Sequence, residues 1–277
     1  MSLRYSGGML SPVSAMRFSP LPAPSLIDTH CHLDAPEFAE RVDAVAADAA
    51  AAGLGQLLVP SVSRDSFAST LAMRERFGCW IALGLHPIYI NQHLDAHLAE
   101  LETLIRQETP QAVGEIGLDF YVPGLDAQRQ EWLFAEQLKL ARRYDLPVIL
   151  HVRRSQDRIL KYLRQIPVRG GIAHAFNGSR QQADMFIKLG FKLGFGGTMS
   201  YSGSRRIREL AATLPIQHIV LETDAPDIPP EWAQSLHNVP ANLPRLAKIL
   251  AELRNIDLDE MTRTLWRNSL TALGLAP

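Results

Sequence analysis

The chain has little of what marks a secreted or membrane protein. It contains two cysteines among 277 residues, Cys31 and Cys79, too few for a disulfide framework. No apolar run is long enough to span a bilayer, and the first two dozen residues lack the continuous apolar segment of a signal peptide. We therefore expect a cytoplasmic protein with no membrane partner, and no feature of the sequence predicts a protein partner.

An excess of charge of one sign is also absent. Lysine and arginine number 28 against 29 aspartate and glutamate, a net charge of −1. This balance argues against a strongly basic nucleic-acid binder, although basic groups could still line a cleft. Hydrophobic residues make up 47% of the chain, so a large core is expected and disorder is not.

The first 24 residues differ in composition from the rest. Residues 1–24 are rich in Ser, Pro and Gly, and we interpret them as a leader or extension outside the fold. Over residues 25–277, apolar strand-like runs alternate with helical patterns, which predicts a single domain. Asp126 is the expected N-cap of the clearest helix, and residues 257–273 are expected to form the last helix.

Eight strand candidates can be placed along this domain. They lie near residues 25–30, 56–60, 79–85, 111–117, 147–151, 170–175, 191–197 and 217–222. They are apolar without clean alternation, as expected of parallel strands buried on both faces. Eight such strands with helices between them predict an α/β fold, the (β/α)8 TIM barrel of roughly 250 residues. A doubly wound open sheet is the alternative, but the barrel better explains polar residues at the ends of strands from all around the ring.

Metal-binding residue types stand at or just beyond the downstream ends of five predicted strands. They are His30, His32, Glu115, His151, His174 and Asp224. The carboxyl ends of barrel strands meet at one mouth, so we expect these side chains to form one site. His30 and His32 are two residues apart on a strand and should share a face. A buried glutamate such as Glu115 is costly unless it binds a cation or pairs.

This mixed set of nitrogen and oxygen ligands predicts the kind of metal site. It suits Zn²⁺ or Mn²⁺ better than Ca²⁺, and Mg²⁺ is a less natural alternative. Six ligands exceed what one catalytic ion with an open position needs, so we expect two divalent ions sharing a carboxylate. Glu222 has the same strand parity as Asp224. We favour Asp224 as the ligand and Glu222 as a group that holds a histidine or a backbone amide, with the reverse assignment left open.

Six motifs, in this order, resemble those of a known family. They are LIDTHCHLD, GLHP, VGEIGLDF, LPVILHVR, HAFNGS and LETDAPD. The chain resembles the TatD-type metal-dependent deoxyribonucleases of the amidohydrolase superfamily, in particular the YjjV-like branch, from about Leu26 to the C-terminal helix. The resemblance implies a TIM barrel with a divalent-metal centre that hydrolyses phosphodiesters, and hence a DNA substrate.

The resemblance also implies a role for each ligand. It places His30, His32 and Asp224 on one metal ion, and His151 and His174 on the other. Glu115 would lie between both ions. Asp224 would in addition be the catalytic base that orients or deprotonates the attacking water.

One position departs from the family pattern. Many members have a second histidine soon after the GxHP motif, whereas Ile88 follows His86 and Pro87 here. His86 is still expected to contact a substrate phosphate, with a loop-structuring role as the alternative. Arg153 and Asn177, which follow the fifth and sixth predicted strands, are the other expected substrate contacts.

The complete ligand set favours a metal-dependent phosphodiesterase. We expect a nuclease acting on short or single-stranded DNA, because a net charge of −1 gives little long-range attraction to a long polyanion. An alternative is hydrolysis of a cyclic amide, a lactone or another ester, including an acyl group on tRNA. A non-catalytic protein with a structural metal is a third hypothesis, although structural sites are usually closed by four ligands.

Overall fold

The computed structural model describes residues 17–18 and 24–276. Within them, eight strands form one sheet. The strands are β1 (Leu26–Asp28), β2 (Leu54–Pro60), β3 (Trp80–Leu83), β4 (Ala112–Asp119), β5 (Val148–Arg153), β6 (Gly171–Ala173), β7 (Phe191–Phe195) and β8 (Ile219–Leu221). They lie in chain order, and each is parallel to the next. All eight predicted strands are present.

The two edges of this sheet meet. Thr29, the residue after β1, donates both its backbone N–H and its hydroxyl to the carbonyl oxygen of Leu221 in β8, over 3.1 and 2.9 Å. The sheet therefore curves into a nearly closed barrel. This confirms the predicted (β/α)8 TIM barrel and excludes the doubly wound sheet, whose edges stay apart.

A helix follows each strand, and two follow the last. They are α1 (Val42–Ala51), α2 (Phe67–Phe77), α3 (Asp95–Glu108), α4 (Ala127–Arg143), α5 (Gln156–Gln165), α6 (Arg180–Lys188), α7 (Arg205–Thr213), α8 (Leu243–Arg254) and α9 (Leu258–Ala272). The Asp126 carboxylate accepts hydrogen bonds from the N–H groups of Gln128 and Arg129, so it caps α4 as predicted. Helix α9 matches the predicted last helix.

The barrel interior is apolar beneath the mouth. Its core comprises Leu58, Ala82, Ala112, Ile149, Ile172 and Val220, all buried. Ile149 stands two residues before His151, and Ile172 two before His174. Because alternate residues of a strand share a face, both histidines continue the inward-facing rows and lie above this layer, at the mouth.

The segment before β1 is described only in part. Phe18 is 6% exposed and packs in the outer core, where its N–H donates to the carbonyl of Phe77 over 2.6 Å. The placement of residues 1–24 outside the fold therefore does not extend to Phe18, whose apolar ring is buried. For the other residues, which lie mostly outside the described ranges, it stays a prediction. Among the described helices, none combines the length and hydropathy needed to cross a bilayer.

Candidate metal centre

His30 and His32 lie in the bend after β1, which ends earlier than predicted, at Asp28. The backbone still continues the barrel ladder there, because the N–H of Cys31 donates to the carbonyl of Leu58 in β2 over 3.1 Å. Both imidazoles turn to the same side, and their Nε2 atoms lie 3.3 Å apart. The predicted shared orientation is therefore present beyond the end of the strand.

Glu115 lies within β4 and is 2% exposed. Its two oxygens face different histidines. Oε2 lies 3.1 Å from Nε2 of His30 and 3.7 Å from Nε2 of His32. Oε1 lies 3.0 Å from Nδ1 of His151 and 3.3 Å from Nε2 of His86. One carboxylate thus stands between two pairs of imidazoles.

Asp224 follows β8 and faces His30 and His32, which follow β1, across the junction that closes the barrel. It has a φ of 57°, a left-handed conformation that aspartate adopts more readily than most residues. Its N–H donates to the carbonyl of His30 over 2.9 Å. Its Oδ1 lies 3.6 Å from Nε2 of His30 and 3.7 Å from Nε2 of His32, and its Oδ2 lies 3.5 Å from Nε2 of His174.

His174, just beyond β6, lies beside Glu222. Its ring stacks on that of His30, with centroids 3.7 Å apart. Nδ1 of His174 lies 2.8 Å from Oε1 of Glu222, and the same oxygen accepts the N–H of Ala175 over 2.6 Å. Glu222 therefore contacts both kinds of partner that the sequence predicts for it. A carboxylate at one nitrogen leaves the other, Nε2, directed into the site.

The end of β4 supplies a carboxylate that sequence analysis did not single out. Asp119 is 1% exposed. Its Oδ2 lies 3.0 Å from Nε2 of His151, and its Oδ1 accepts the N–H groups of Tyr121 and Val122 over 2.8 and 3.0 Å. His151 is thus held between Glu115 at Nδ1 and Asp119 at Nε2. The available signal was an acidic residue four positions after Glu115, on the same face of one strand.

His86, in the loop after β3, is a hydrogen-bond donor. Its Nδ1 accepts the N–H of Ile88 over 3.1 Å, so the ring proton of the neutral form is on Nε2, which faces Glu115. A protonated nitrogen has no lone pair for a cation. His86 is therefore unsuited to bind a metal, although it forms a close group with Glu115 and His151. Its carbonyl oxygen is held by Nε2 of His93 over 2.9 Å.

Asp28, another acidic residue not expected from the sequence, joins the two ends of the barrel beneath the site. Its Oδ1 accepts the N–H groups of His30 and Thr223 over 3.2 and 3.0 Å. Its other oxygen lies 2.6 Å from the hydroxyl of Thr223. Burial raises the pKa of Asp28 to about 7. These contacts fix the backbone next to both His30 and Asp224.

The surrounding histidines favour the ionised form of the two central carboxylates. Burial disfavours the charged form of Glu115, but His86 and His30, with further help from His151, hold the pKa of this carboxyl well below its ordinary value. Burial likewise opposes ionisation of Asp224, and the neighbouring His174 outweighs it and lowers the pKa. The site therefore presents negative charge to any cation that enters.

The pKa values of His174 and His86 are shifted in opposite directions by their surroundings. Burial opposes protonation of His174, but the charges of Glu222 and Asp224 raise its pKa well above 6.5. Burial lowers the pKa of His86 to about 4. The charges beside His174 thus favour its protonated form while no cation is bound, whereas burial favours the neutral form of His86.

The donor set fits a divalent cation. In the part of the chain that the structure describes, three overlapping groups have ligand atoms within 4.8 Å of one another: His30–His32–Asp224, His30–Glu115–His174 and His86–Glu115–His151. Two nitrogens bound to one Zn²⁺ at about 2.0–2.1 Å would lie roughly 3.3 Å apart at a tetrahedral angle. The Nε2 atoms of His30 and His32 have this separation. No such group of described residues contains both His151 and His174, so their assignment to one ion stays a prediction.

The other two predicted substrate contacts lie farther out. Arg153 is the last residue of β5, which is longer than predicted, and its guanidinium carbon lies 4.0 Å from the ring centroid of Tyr121. Asn177 is exposed in the loop after β6, where its amide oxygen accepts a long hydrogen bond from Gln156, 3.5 Å. Their contact with substrate stays a prediction.

Replacing Asp119 by Asn tests whether it holds His151 for a cation. The Asn oxygen can still accept the N–H groups of Tyr121 and Val122, but its NH2 group would face His151 as a donor. We expect metal affinity to fall by about 10–100-fold, measured by zinc competition with a chromogenic chelator. Asp126→Asn, which preserves a good N-cap on α4, is the matched control. Wild-type affinity in Asp119→Asn would contradict the role.

Gly194 in β7 makes room for Glu222. A Cβ at Gly194 would come within 2.2 Å of Oε2 of Glu222, so alanine should push this carboxylate away from His174. We expect Gly194→Ala to lower the free energy of unfolding by about 1–3 kcal/mol, measured by urea unfolding, and to weaken metal binding. For Gly203→Ala, whose Cβ meets nothing within 4 Å, we expect a change below about 0.5 kcal/mol. Equal effects of the two variants would refute this account of Gly194.

The chain is similar to known proteins over most of its length. The family described as TatD related DNase matches residues 27–274. The metal-dependent hydrolase YjjV of Escherichia coli K12 is 43% identical over 253 residues, covering 90% of this chain and 98% of that protein. The crystal structure of E. coli YjjV, a TatD homologue, matches with a TM-score of 0.87 at 42% identity, over 91% of this chain and 98% of the other. A Klebsiella pneumoniae protein named 3'-5' ssDNA/RNA exonuclease TatD is 32% identical over 263 residues, 90% of this chain and 98% of its own length.

Proposed function

This chain belongs to the TatD related DNase family and is a metal-dependent hydrolase, and from that premise we propose that it hydrolyses phosphodiester bonds in short or single-stranded nucleic acid. We propose that it does so with two divalent ions, Zn²⁺, Mn²⁺ or Mg²⁺. One observation supports this most: the two oxygens of Glu115 face different histidines, Oε2 toward His30 and His32 at 3.1 and 3.7 Å and Oε1 toward His151 at 3.0 Å.

Such a carboxylate is suited to bridge two cations. Oε2 shares its side of the site with His30 and His32, and Oε1 shares the other side with His151. We propose that His174, whose Nε2 is directed into the site, completes the ligand set with Asp224. A bound pair of divalent ions supplies an activated water and stabilises charge on the attacking and leaving oxygens of a phosphodiester.

Asp224 is the proposed general base. Its pKa is lowered, so the carboxylate is ionised and able to accept a proton from the attacking water. Its side chain is 13% exposed, whereas that of Glu115 is 2% exposed, so water can reach Asp224 at the surface of the site. The hydrogen bond from its N–H to the carbonyl of His30 fixes its position.

His86 is the proposed donor to the substrate phosphate. Its imidazole is neutral at neutral pH, and the N–H of Ile88 keeps the proton on Nε2. That N–H can donate to a phosphate oxygen that approaches Glu115. Ile88 lacks the side chain of the family's second histidine, but its backbone provides the contact that sets the His86 tautomer. Arg153 and Asn177 are proposed as phosphate contacts farther from the centre.

A short or single strand suits this centre better than a long duplex. His30 and Glu115 are 0% and 2% exposed, so the scissile phosphate must reach into the barrel mouth. A net charge of −1 offers little attraction to a stiff polyanion. The name of the Klebsiella relative, a 3'-5' ssDNA/RNA exonuclease, supports the same substrate class.

The test is a substrate panel on protein of known metal content. Metal-stripped protein is reloaded with Zn²⁺, Mn²⁺ or Mg²⁺ and assayed on labelled single strands, duplex, a chromogenic phosphodiester, and a set of cyclic amides, lactones and aminoacyl esters. We expect metal-dependent cleavage of the single strand and the chromogenic diester, with slower cleavage of duplex. The Asp224→Asn protein, purified identically, controls for contaminating nuclease.

Three other results would change the proposed function or the proposed number of metal ions. Activity confined to amides, lactones or acyl esters would replace the phosphodiester proposal by the second hypothesis. Inactivity on every substrate with metal bound would favour a non-catalytic metal protein. A metal content at or below one ion per chain at saturation would count against the two-ion centre.

A further inference from the structure

A half-exposed tyrosine beside the metal centre is covered by two arginines. Tyr121, two residues after Asp119, is 49% exposed. The guanidinium carbons of Arg153 and Arg154 lie 4.0 and 4.6 Å from its ring centroid. Neighbouring residues of an extended strand point to opposite sides. Arg154, however, has a φ of 54°, and this left-handed turn lets both guanidinium groups reach one ring.

Of the two arginines, only Arg153 has an ion-pair partner among the described residues. Its partner is Oδ2 of Asp119 at 3.9 Å, an oxygen that also contacts His151 at 3.0 Å. Arg154 forms no ion pair with any residue in the described ranges. Two like charges held over one ring repel each other, and a left-handed backbone adds strain at a residue other than glycine. An anion bound between them would offset the repulsion.

A second stacked pair, on α4, has a carboxylate close to its guanidinium. Arg129 lies 4.2 Å from the ring centroid of Trp132 on α4, and Trp132 is 38% exposed. There the guanidinium is neutralised by Asp95, 2.5 Å away. At Tyr121, Arg153 has only the more distant Asp119, at 3.9 Å, and Arg154 has no ion pair with a described residue. This stacked group adjoins the metal centre.

We propose that Tyr121 is a base-stacking site for a single-stranded nucleic acid and that Arg153 and Arg154 bind the adjoining phosphate. This inference rests on the function proposed above. Aromatic rings stack on any base, in DNA or RNA, and a guanidinium held flat keeps its N–H edge free for phosphate oxygens. The Asp119 carboxylate bonds the backbone of Tyr121 and faces His151. A strand stacked on Tyr121 therefore lies next to the metal ligands.

The experiment measures binding without cleavage. Fluorescence anisotropy is recorded on metal-stripped protein with a labelled ten-nucleotide thymidine strand, the matching uridine strand, and a ten-unit abasic deoxyribose-phosphate strand. We expect the wild type to bind the strands with bases about 10-fold more tightly than the abasic strand. Tyr121→Ala should lose this preference for DNA and RNA alike, and Tyr121→Phe should keep it. Trp132→Ala is the matched control and should behave as the wild type.

Substitution of either arginine should change strand binding in a different way from Tyr121→Ala. Arg153→Ala and Arg154→Ala should weaken binding of all three strands, because phosphate is common to them. Each substitution should reduce the slope of log affinity against log salt by about 1. The preference for strands with bases should remain in both variants.

Two results would overturn the inference: equal binding of abasic and base-containing strands by the wild type, or an unchanged preference in Tyr121→Ala. The wild-type comparison tests the stacking without any variant. Because cleavage is not measured, loss of the stacking site would leave the nuclease proposal intact. Base-dependent binding in a protein that cleaves no phosphodiester would instead support the stacking site alone.

Discussion

Asp224→Asn should reduce phosphodiester hydrolysis by about 10²–10⁴-fold in a protein that remains folded. The amide cannot accept a proton from water at neutral pH, whereas its oxygen and its backbone N–H can preserve the contacts with His30. We expect the loss in kcat, because the missing proton transfer belongs to the chemical step. Turnover of a chromogenic phosphodiester at saturating metal measures it.

The matched control for this substitution is Asp184→Asn on α6. Asp184 is exposed and pairs with Arg180 at 3.0 Å, a surface ion pair that contributes little stability. The kcat of the Asp184→Asn protein should stay within about twofold of the wild type, because surface substitutions of this kind have little effect. An Asp224→Asn protein that binds metal and retains wild-type kcat would rule out Asp224 as the base.

Removing the metal should strongly destabilise the fold. Glu115, Asp224 and the histidines around them bring buried like charges together, and a cation that binds only the folded state stabilises it. At free metal about 1,000 times its dissociation constant, the gain is about 4 kcal/mol. For a chain of this size that corresponds to roughly 10 °C in Tm. Scanning calorimetry of chelated and reloaded protein measures the difference.

This metal effect should be larger at pH 8 than at pH 6. The pKa of His174 in the metal-free fold is raised well above 6.5 by Glu222 and Asp224. The stability from that protonated pair is fully present below the unfolded pKa and is lost as pH rises through the folded value. At pH 6 the cation must also displace the proton, so metal affinity falls. The difference in Tm between loaded and stripped protein should therefore grow with pH.

Two histidine variants make this prediction specific. His174→Ala should bind metal more weakly and lose most of the metal-dependent rise in Tm. His218→Ala, at the opposite end of the barrel just before β8, should retain it. An identical Tm for stripped and loaded wild type at both pH values would contradict a divalent cation at this centre.

The barrel and the chemical character of its mouth follow from short-range patterns. Apolar runs locate all eight strands because each is buried on both faces, and Asp126 locates the start of α4. Errors occur at strand ends: β1 ends at Asp28 and β5 continues to Arg153. Strand ends depend on hydrogen bonds to neighbours far along the chain, such as that between Thr29 and Leu221.

The residues that contact the metal-binding side chains could not be predicted from short-range patterns. Asp28 and Asp119 are single acidic residues in buried strands, and their partners are identified only when distant strands meet. The tautomer of His86 depends on a backbone N–H, that of Ile88, which any residue except proline would supply. The pairing of Arg154 with Tyr121 requires a left-handed conformation that arginine does not favour.

Asp28 and Thr223 are 195 positions apart, and this separation determines when the centre can exist during synthesis. A nascent chain emerges from the ribosome with His30 first, yet the carboxylate opposite it is among the last fifth to be made. The earlier strands can pair as they emerge, since each contacts its predecessor. The ring cannot close before β8 and Asp224 have been made, so the complete centre can form only late in synthesis, and a product truncated before Asp224 would retain histidines without a complete centre.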